Sequence, residues 1–321
     1  MSTDTYLRPM DLGDQFAATF LLIRRSAGVF LLAVVIIAAC SILYQNASYH
    51  MMGRMAEIAA SGGMSDNADP ELKKQMGMQM LSASASNLGF FVIYIMVLVF
   101  SQVTAAIAGW EAINAREISF GAVLTRSIGR PFWASLLQTI VMVMLAVMVA
   151  AVVYIAFVVV AGAGASRSLL PLLLILLILL YPFVATAFRI QKVSIESRGP
   201  WKGLIASIAL VKDNWWRTLL TLLIAAIGGG VLIFLAGMLT GGGMAFQFGS
   251  RGAGNDPQAI IDAYNKMKES YSIGSLVATN IVSALAYTFC FFLLTPMYTD
   301  LRARRGELLE EPAEDDLAML G

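Results

Sequence analysis

Residues 134–162, ASLLQTIVMVMLAVMVAAVVYIAFVVVAG, contain no charged side chain, and their polar groups are confined to Ser135, Gln138, Thr139 and Tyr154. A helix needs about twenty apolar residues to cross the hydrocarbon of a bilayer. This stretch is long enough, and so apolar that lipid is its natural surroundings; its reading decides the fold class. Working outward, five further stretches share its character: 27–45, 87–110, 169–188, 217–240 and 274–298. The chain therefore reads as an all-α polytopic membrane protein of six transmembrane helices. Residues 1–306 form a single six-helix membrane domain and 307–321 an acidic cytoplasmic tail.

Composition agrees. Hydrophobic residues make up 58% of the chain and charged residues 13%, about half the charged share of an ordinary soluble domain, which excludes a soluble fold. The net charge of +1 gives no field that would gather nucleic acid. About fifteen Lys and Arg fall in the N-terminus, the 111–133 and 189–216 connections and the C-terminus, against about seven in the other three loops. The positive-inside rule then places both termini in the cytoplasm. Trp110, Trp133, Trp215 and Trp216 sit at the same ends, where an indole favours the headgroup level.

The bodies of the spans lack charged residues, which disfavours a proton-coupled pump. Their polar residues, Ser101, Gln102, Thr104, Gln138, Thr139, Asn280, Ser283 and Thr288, read as hydrogen bonds between helices. Gly228-Gly229-Gly230 in the fifth span marks close packing. Residues 241–256, rich in Gly, read as a linker, and Asp69-Pro70 and Asp256-Pro257 as helix starts.

A short pattern recurs ahead of the first, third and fifth spans: an apolar residue, two others, Ser or Thr, then an apolar residue. It is Phe16 to Thr19-Phe20, Leu124 to Ser127-Ile128, and Leu204 to Ser207-Ile208. Basic residues follow each copy. The spacing predicts short amphipathic helices in the cytoplasmic interface, and with them three repeats of interfacial helix plus hairpin.

Cys40, Cys290 and His50 are too few for an ordinary zinc site, and the two cysteines stand toward opposite ends of their spans, which argues against a disulfide. Ile37-Ala-Ala-Cys40 has the form of a lipoprotein cleavage box, but the apolar run continues through it as a spanning helix does. Thioethers select Cu(I), so Met76, Met78 and Met80 with His50, in the first outer loop, are candidate soft-metal ligands; the competing reading is that methionine fills apolar gaps. Arg189, Lys192, Arg198, Lys202, Lys212 and Arg217 are candidate contacts for anionic lipid headgroups, although topology signalling also accounts for them. Asp300 and Arg302 predict a capped final helix docked on a cytoplasmic segment, Glu196 or Arg189.

Three places resemble the glycerophosphoryl diester phosphodiesterase membrane-domain family. They are Leu7 to Asp14 with Phe20 to Arg25, Val193 to Glu196 running through Ser207 to Lys212 and on to Trp215-Trp216-Arg217, and Tyr298 to Arg304. The resemblance implies a six-helix membrane portion in a prokaryotic inner membrane. The catalytic barrel of the larger proteins needs about 250 residues, and the soluble stretches here are far shorter, so the resemblance carries over no catalytic residue. The expected function is non-enzymatic and needs no cofactor: organising lipid or partner membrane proteins. The alternative is a transporter or lipid-translocating channel that uses the polar faces of the spans.

Overall fold

A computed structural model of the chain describes residues 9–60, 70–114, 118–161, 170–240, 261–262, 264–265 and 272–307, and among these there is no strand. The helices are α1 (Leu12–Arg25), α2 (Ala27–Ala60), α3 (Pro70–Ile113), α4 (Phe120–Ile128), α5 (Arg130–Ala161), α6 (Leu170–Ala185), α7 (Arg189–Ile195), α8 (Pro200–Val211), α9 (Trp215–Thr240) and α10 (Ile273–Arg304). Among the described residues, six segments are long and apolar enough to cross a membrane: Ala27–Ile58, Gly77–Ile113, Arg130–Val159, Leu173–Ile195, Pro200–Met238 and Ile273–Arg304. The protein is a multi-pass, all-helical membrane protein. Residues 162–169, the 241–256 stretch, Asp69, Asp256-Pro257 and the residues beyond 307 lie outside the described residues.

Local chemistry sets the helix boundaries. The Asp11 carboxylate accepts the Asp14 N–H at 2.7 Å and Asp14 answers on the Asp11 N–H, a capping box that opens α1. Arg24 and Arg25 close it, where the helix dipole favours cations. Ser119 caps α4, Gly129 ends it, and Pro200 stands in the first turn of α8, where its missing N–H costs nothing. Each of these three short helices runs straight into a long one: α1 into α2, α4 into α5, α8 into α9. Thr19, Ser127 and Ser207 are all completely buried, whereas Phe20, Ile128 and Ile208, one position later in each copy of the pattern, are exposed.

The chain divides into two compact units. Unit 1 holds residues 1–30, 99–224 and 289–321; unit 2 holds 31–98 and 225–288. In unit 1, Leu22, Phe188, Ile190, Phe292 and Tyr298 are fully enclosed. Helix α7 packs against α5 and α8 with Ile190 to Ile195 all buried. The approach of α8 is close: a Cβ on Gly203 would meet Val193 Cγ2 at 2.8 Å. In unit 2, Asn280 accepts from the Ser41 hydroxyl and donates to Gln45 Oε1 at 3.0 Å, while Tyr44 stacks on Tyr94. Gly229 faces the Ala286 methyl, with 3.3 Å left for a Cβ, but Gly228 and Gly230 face open space, so only the middle glycine of the run serves packing.

Two expectations need correcting. Asn280 and Gln138 do bridge helices, Gln138 by donating to the Pro200 carbonyl. Thr104, Thr139, Ser283 and Thr288 instead donate to the carbonyl four residues back on their own helices, because a short hydroxyl reaches its own backbone before it reaches a neighbour. Trp110 is buried within unit 1 rather than presented at a surface, whereas Trp133 and Trp216 are exposed. Both cysteines are free.

Candidate functional site: two carboxylates and a basic groove

Helix α7 ends on Glu196, and the last turns of α10 lie beside it. Lys192, one turn earlier, donates to Glu196 Oε1 at 2.7 Å, and the Tyr298 hydroxyl donates to the same oxygen. Arg198 approaches Oε2 to 2.6 Å as an ion pair off the hydrogen-bond line, and Arg302 stands 3.6 Å from Oε1. The ammonium of Lys192 lies 5.2 Å from the centre of the Tyr298 ring, where the ring quadrupole also holds a cation. Burial alone pushes the Glu196 carboxyl up. The hydrogen bonds from Lys192 and Tyr298 and the charges of Lys192 and Arg198 outweigh it, and the group titrates below the usual carboxylate range. The Arg302 contact is the docking on Glu196 that the sequence predicts for the end of the last helix. Arg189 is not part of it and donates to the Thr186 carbonyl.

A second carboxylate, Asp300, is completely buried. Oδ1 accepts the Met10 N–H at 2.7 Å and Arg304 Nε at 3.0 Å; Oδ2 accepts Gln15 Nε2 at 2.9 Å and Arg217 Nε at 3.1 Å. Arg304 and Arg217 also donate to the Met10 carbonyl. One carboxylate thus joins the entry to α1, the start of α9 and the end of α10. The convergence of Met10, Gln15, Arg217 and Arg304 on Asp300 has no local signal in sequence, apart from an acidic residue standing directly after the apolar run of the last span.

Beside the Glu196 cluster is an open groove of about 450 Å³. Lys192, Arg198, Lys202 and Arg305 line it with one carboxylate, Glu307, and its apolar wall is Ile205, Ala206 and Ala209 of α8. Arg305 is held in place by Asp213 at 3.0 Å. The groove thus brings cations together with the apolar residues of α8, the two kinds of surface an anionic amphiphile needs.

The six candidate lipid contacts separate on this geometry. Lys192, Arg198 and Lys202 share the groove. Arg217 is taken up by Asp300, Arg189 lies on the inner side of α7 against Thr186, and Lys212 is exposed away from the groove lining. Arg305, which the sequence reading passed over, joins the groove because the end of α10 folds back beside α8. In unit 2, His50 and Met78 are exposed and Met80 is half-buried, while the Met76 side chain lies outside the described residues. The His50 ring meets Tyr49 edge-on at 6.0 Å. Among the described residues, no three His, Cys, Asp or Glu side chains gather as a metal site would require.

No curated protein matches the chain, and no solved structure does. Residues 10–301 match one family, described as a domain of unknown function, DUF7847, and that match takes in both carboxylates and most of the groove wall. The chain belongs to the DUF7847 family.

Proposed function

We propose that this is a non-enzymatic protein of a prokaryotic inner membrane, with both termini cytoplasmic, that gathers anionic phospholipid at its cytoplasmic face and through it organises neighbouring membrane proteins. The observation that carries this reading is the groove, where four cations, three of them also engaged by Glu196 or Asp213, stand with Glu307 beside the apolar wall of α8. Clusters of Lys and Arg at a membrane surface attract acidic headgroups, each worth about 1 kcal/mol. Glu196 and Asp300 support the same reading, because they fix the end of α10 that brings Arg305 to the groove.

The helices α1, α4 and α8 fit the interfacial role. Each buries a Ser or Thr and exposes an apolar residue one position later, as a helix lying in a lipid surface does. Their like behaviour supports a threefold repeat of interfacial helix and hairpin. Kinship with the membrane portion of the glycerophosphoryl diester phosphodiesterase membrane-domain family accords with this, since that likeness brings no catalytic residue with it.

The test is native mass spectrometry of the full chain released from nanodiscs containing phosphatidylglycerol. Wild type should retain that lipid. Lys202→Glu combined with Arg305→Ala should lose it, and Lys74→Ala, on α3, should not. Equal retention by all three proteins sinks the reading.

A transport reading has one observation of its own. Ser101, Ser135, Ser194, Thr295, Gln138 Oε1 and both amide atoms of Gln191 are buried without a hydrogen-bond partner among the described residues. Such atoms are costly unless water reaches them. Labelling of single cysteines at 135 and 138 by a membrane-impermeant thiol reagent would favour transport; protection at both would disfavour it.

A further inference from the structure

A smaller depression of about 200 Å³ lies in unit 1 where the α4–α5 turn meets the turn after α7. Arg126, Arg130 and Arg198 line it with the hydroxyl residues Thr125 and Ser197, and no carboxylate does. Its apolar lining is only Pro131 and Val193, too little to seat an acyl chain. Arg126 is anchored from outside by Glu111 at 2.9 Å and Arg198 by Glu196 at 2.6 Å, so two of the three guanidinium groups are held in position before any ligand arrives. Arg130 is different. It opens α5, where the positive end of the helix disfavours a cation, and an anion seated between them turns that repulsion into attraction. Ser197 keeps a left-handed backbone, φ 53°, which residues other than Gly and Asn seldom hold.

Guanidinium groups fork onto phosphate oxygens with paired hydrogen bonds. We propose that this bowl binds a phosphate monoester group, a compact dianion, carried either by a water-soluble phosphate or by the headgroup of phosphatidic acid. The site is separate from the groove: Lys202 and Arg305 do not line it, and Arg198 is common to both. The proposal does not depend on the lipid-gathering reading.

The experiment uses the full chain in two nanodisc preparations in phosphate-free buffer. In phosphatidylcholine nanodiscs, inorganic phosphate is titrated by calorimetry; in the second set, phosphatidic acid replaces part of the phosphatidylcholine and retained lipid is counted by native mass spectrometry. Saturable phosphate binding in the first set identifies a soluble ligand. Retention of phosphatidic acid without phosphate binding identifies the lipid headgroup. Either result supports the proposal if Arg130→Gln weakens it about tenfold, Arg130→Lys weakens it less, and Lys74→Ala, on α3 and outside both the bowl and the groove, leaves it unchanged. Arg126→Gln provides a second reading of the same loss, and thermal unfolding of each variant separates lost binding from lost fold. No saturable binding in either set, or equal binding by wild type and Arg130→Gln, overturns it. Loss with Lys202→Glu but not with Arg130→Gln also overturns it while leaving the groove reading intact.

Discussion

The ammonium of Lys192 and the carboxylate of Glu196, one turn apart, meet at 2.7 Å in a place where Lys192 is almost wholly enclosed. Glu196 is held below its ordinary value of 4.5 because its charged form is the one Lys192, Tyr298 and Arg198 stabilise. A depressed carboxylate binds fewer protons folded than unfolded. Its contribution is therefore complete above about pH 4.5 and is lost as pH falls through the lowered value.

Glu196→Gln should cost about 3 kcal/mol at neutral pH, since it strands buried cations, and should flatten the acid limb of the stability curve. Thermal unfolding in detergent from about pH 7 to 3 reads both effects. An acid limb unchanged in the variant would mean that other groups carry it.

Asp300→Asn keeps the shape but leaves Arg217 and Arg304 without their counter-charge, so about 3 to 5 kcal/mol of stability should go. The N-terminal segment should become the first site of proteolysis, because the Met10 N–H loses a charged acceptor. Limited proteolysis with N-terminal sequencing checks this, and unchanged cleavage would contradict it.

Ser207 differs from its counterparts in the two other short helices. It donates to the Ala185 carbonyl and accepts the Phe188 N–H, whereas Ser127 and Thr19 donate to carbonyls of their own helices. Ser207→Ala should therefore cost about 1 to 3 kcal/mol, as two buried backbone groups lose their partner. Ser127→Ala should cost distinctly less. Equal losses in melting temperature would show that the hydroxyl contacts do not set the difference.

Gly203→Ala places a methyl 2.8 Å from Val193 Cγ2, closer than carbon atoms tolerate. Overpacking of this kind costs about 1 to 3 kcal/mol. Val193→Ala in the same chain should recover part of the loss, and a double-mutant cycle on melting temperature measures that coupling.

The spans were legible because lipid imposes a length and a composition on every crossing, and the 134–162 stretch meets both without ambiguity. The short helices were legible from the spacing of Phe16, Leu124 and Leu204 with the Ser or Thr three positions on, whereas their caps, Asp11 and Ser119, emerged only from the structure. The Arg302 contact with Glu196 was foreseeable because opposite charges at the ends of apolar helices have few other places to go. What sequence did not disclose was long-range. Nothing near Gln15 announces Asp300, and Lys192 and Lys202 look alike until α7 proves to be the buried helix and α8 the exposed one. Arg305 went unremarked for the same reason: its place beside α8 depends on where α10 ends, not on its neighbours in the chain.

The bond between Met10 and Asp300 also dictates an order of events during synthesis. Its two ends are 290 positions apart, and at about 5 to 20 residues per second the ribosome takes about 15 to 60 s to travel between them. For all that time α1 emerges with the Gln15 amide and the Met10 N–H waiting for a carboxylate not yet made. A chain truncated before residue 300 cannot close this joint, so the entry to α1 stays untied until the last turns of α10 have been made.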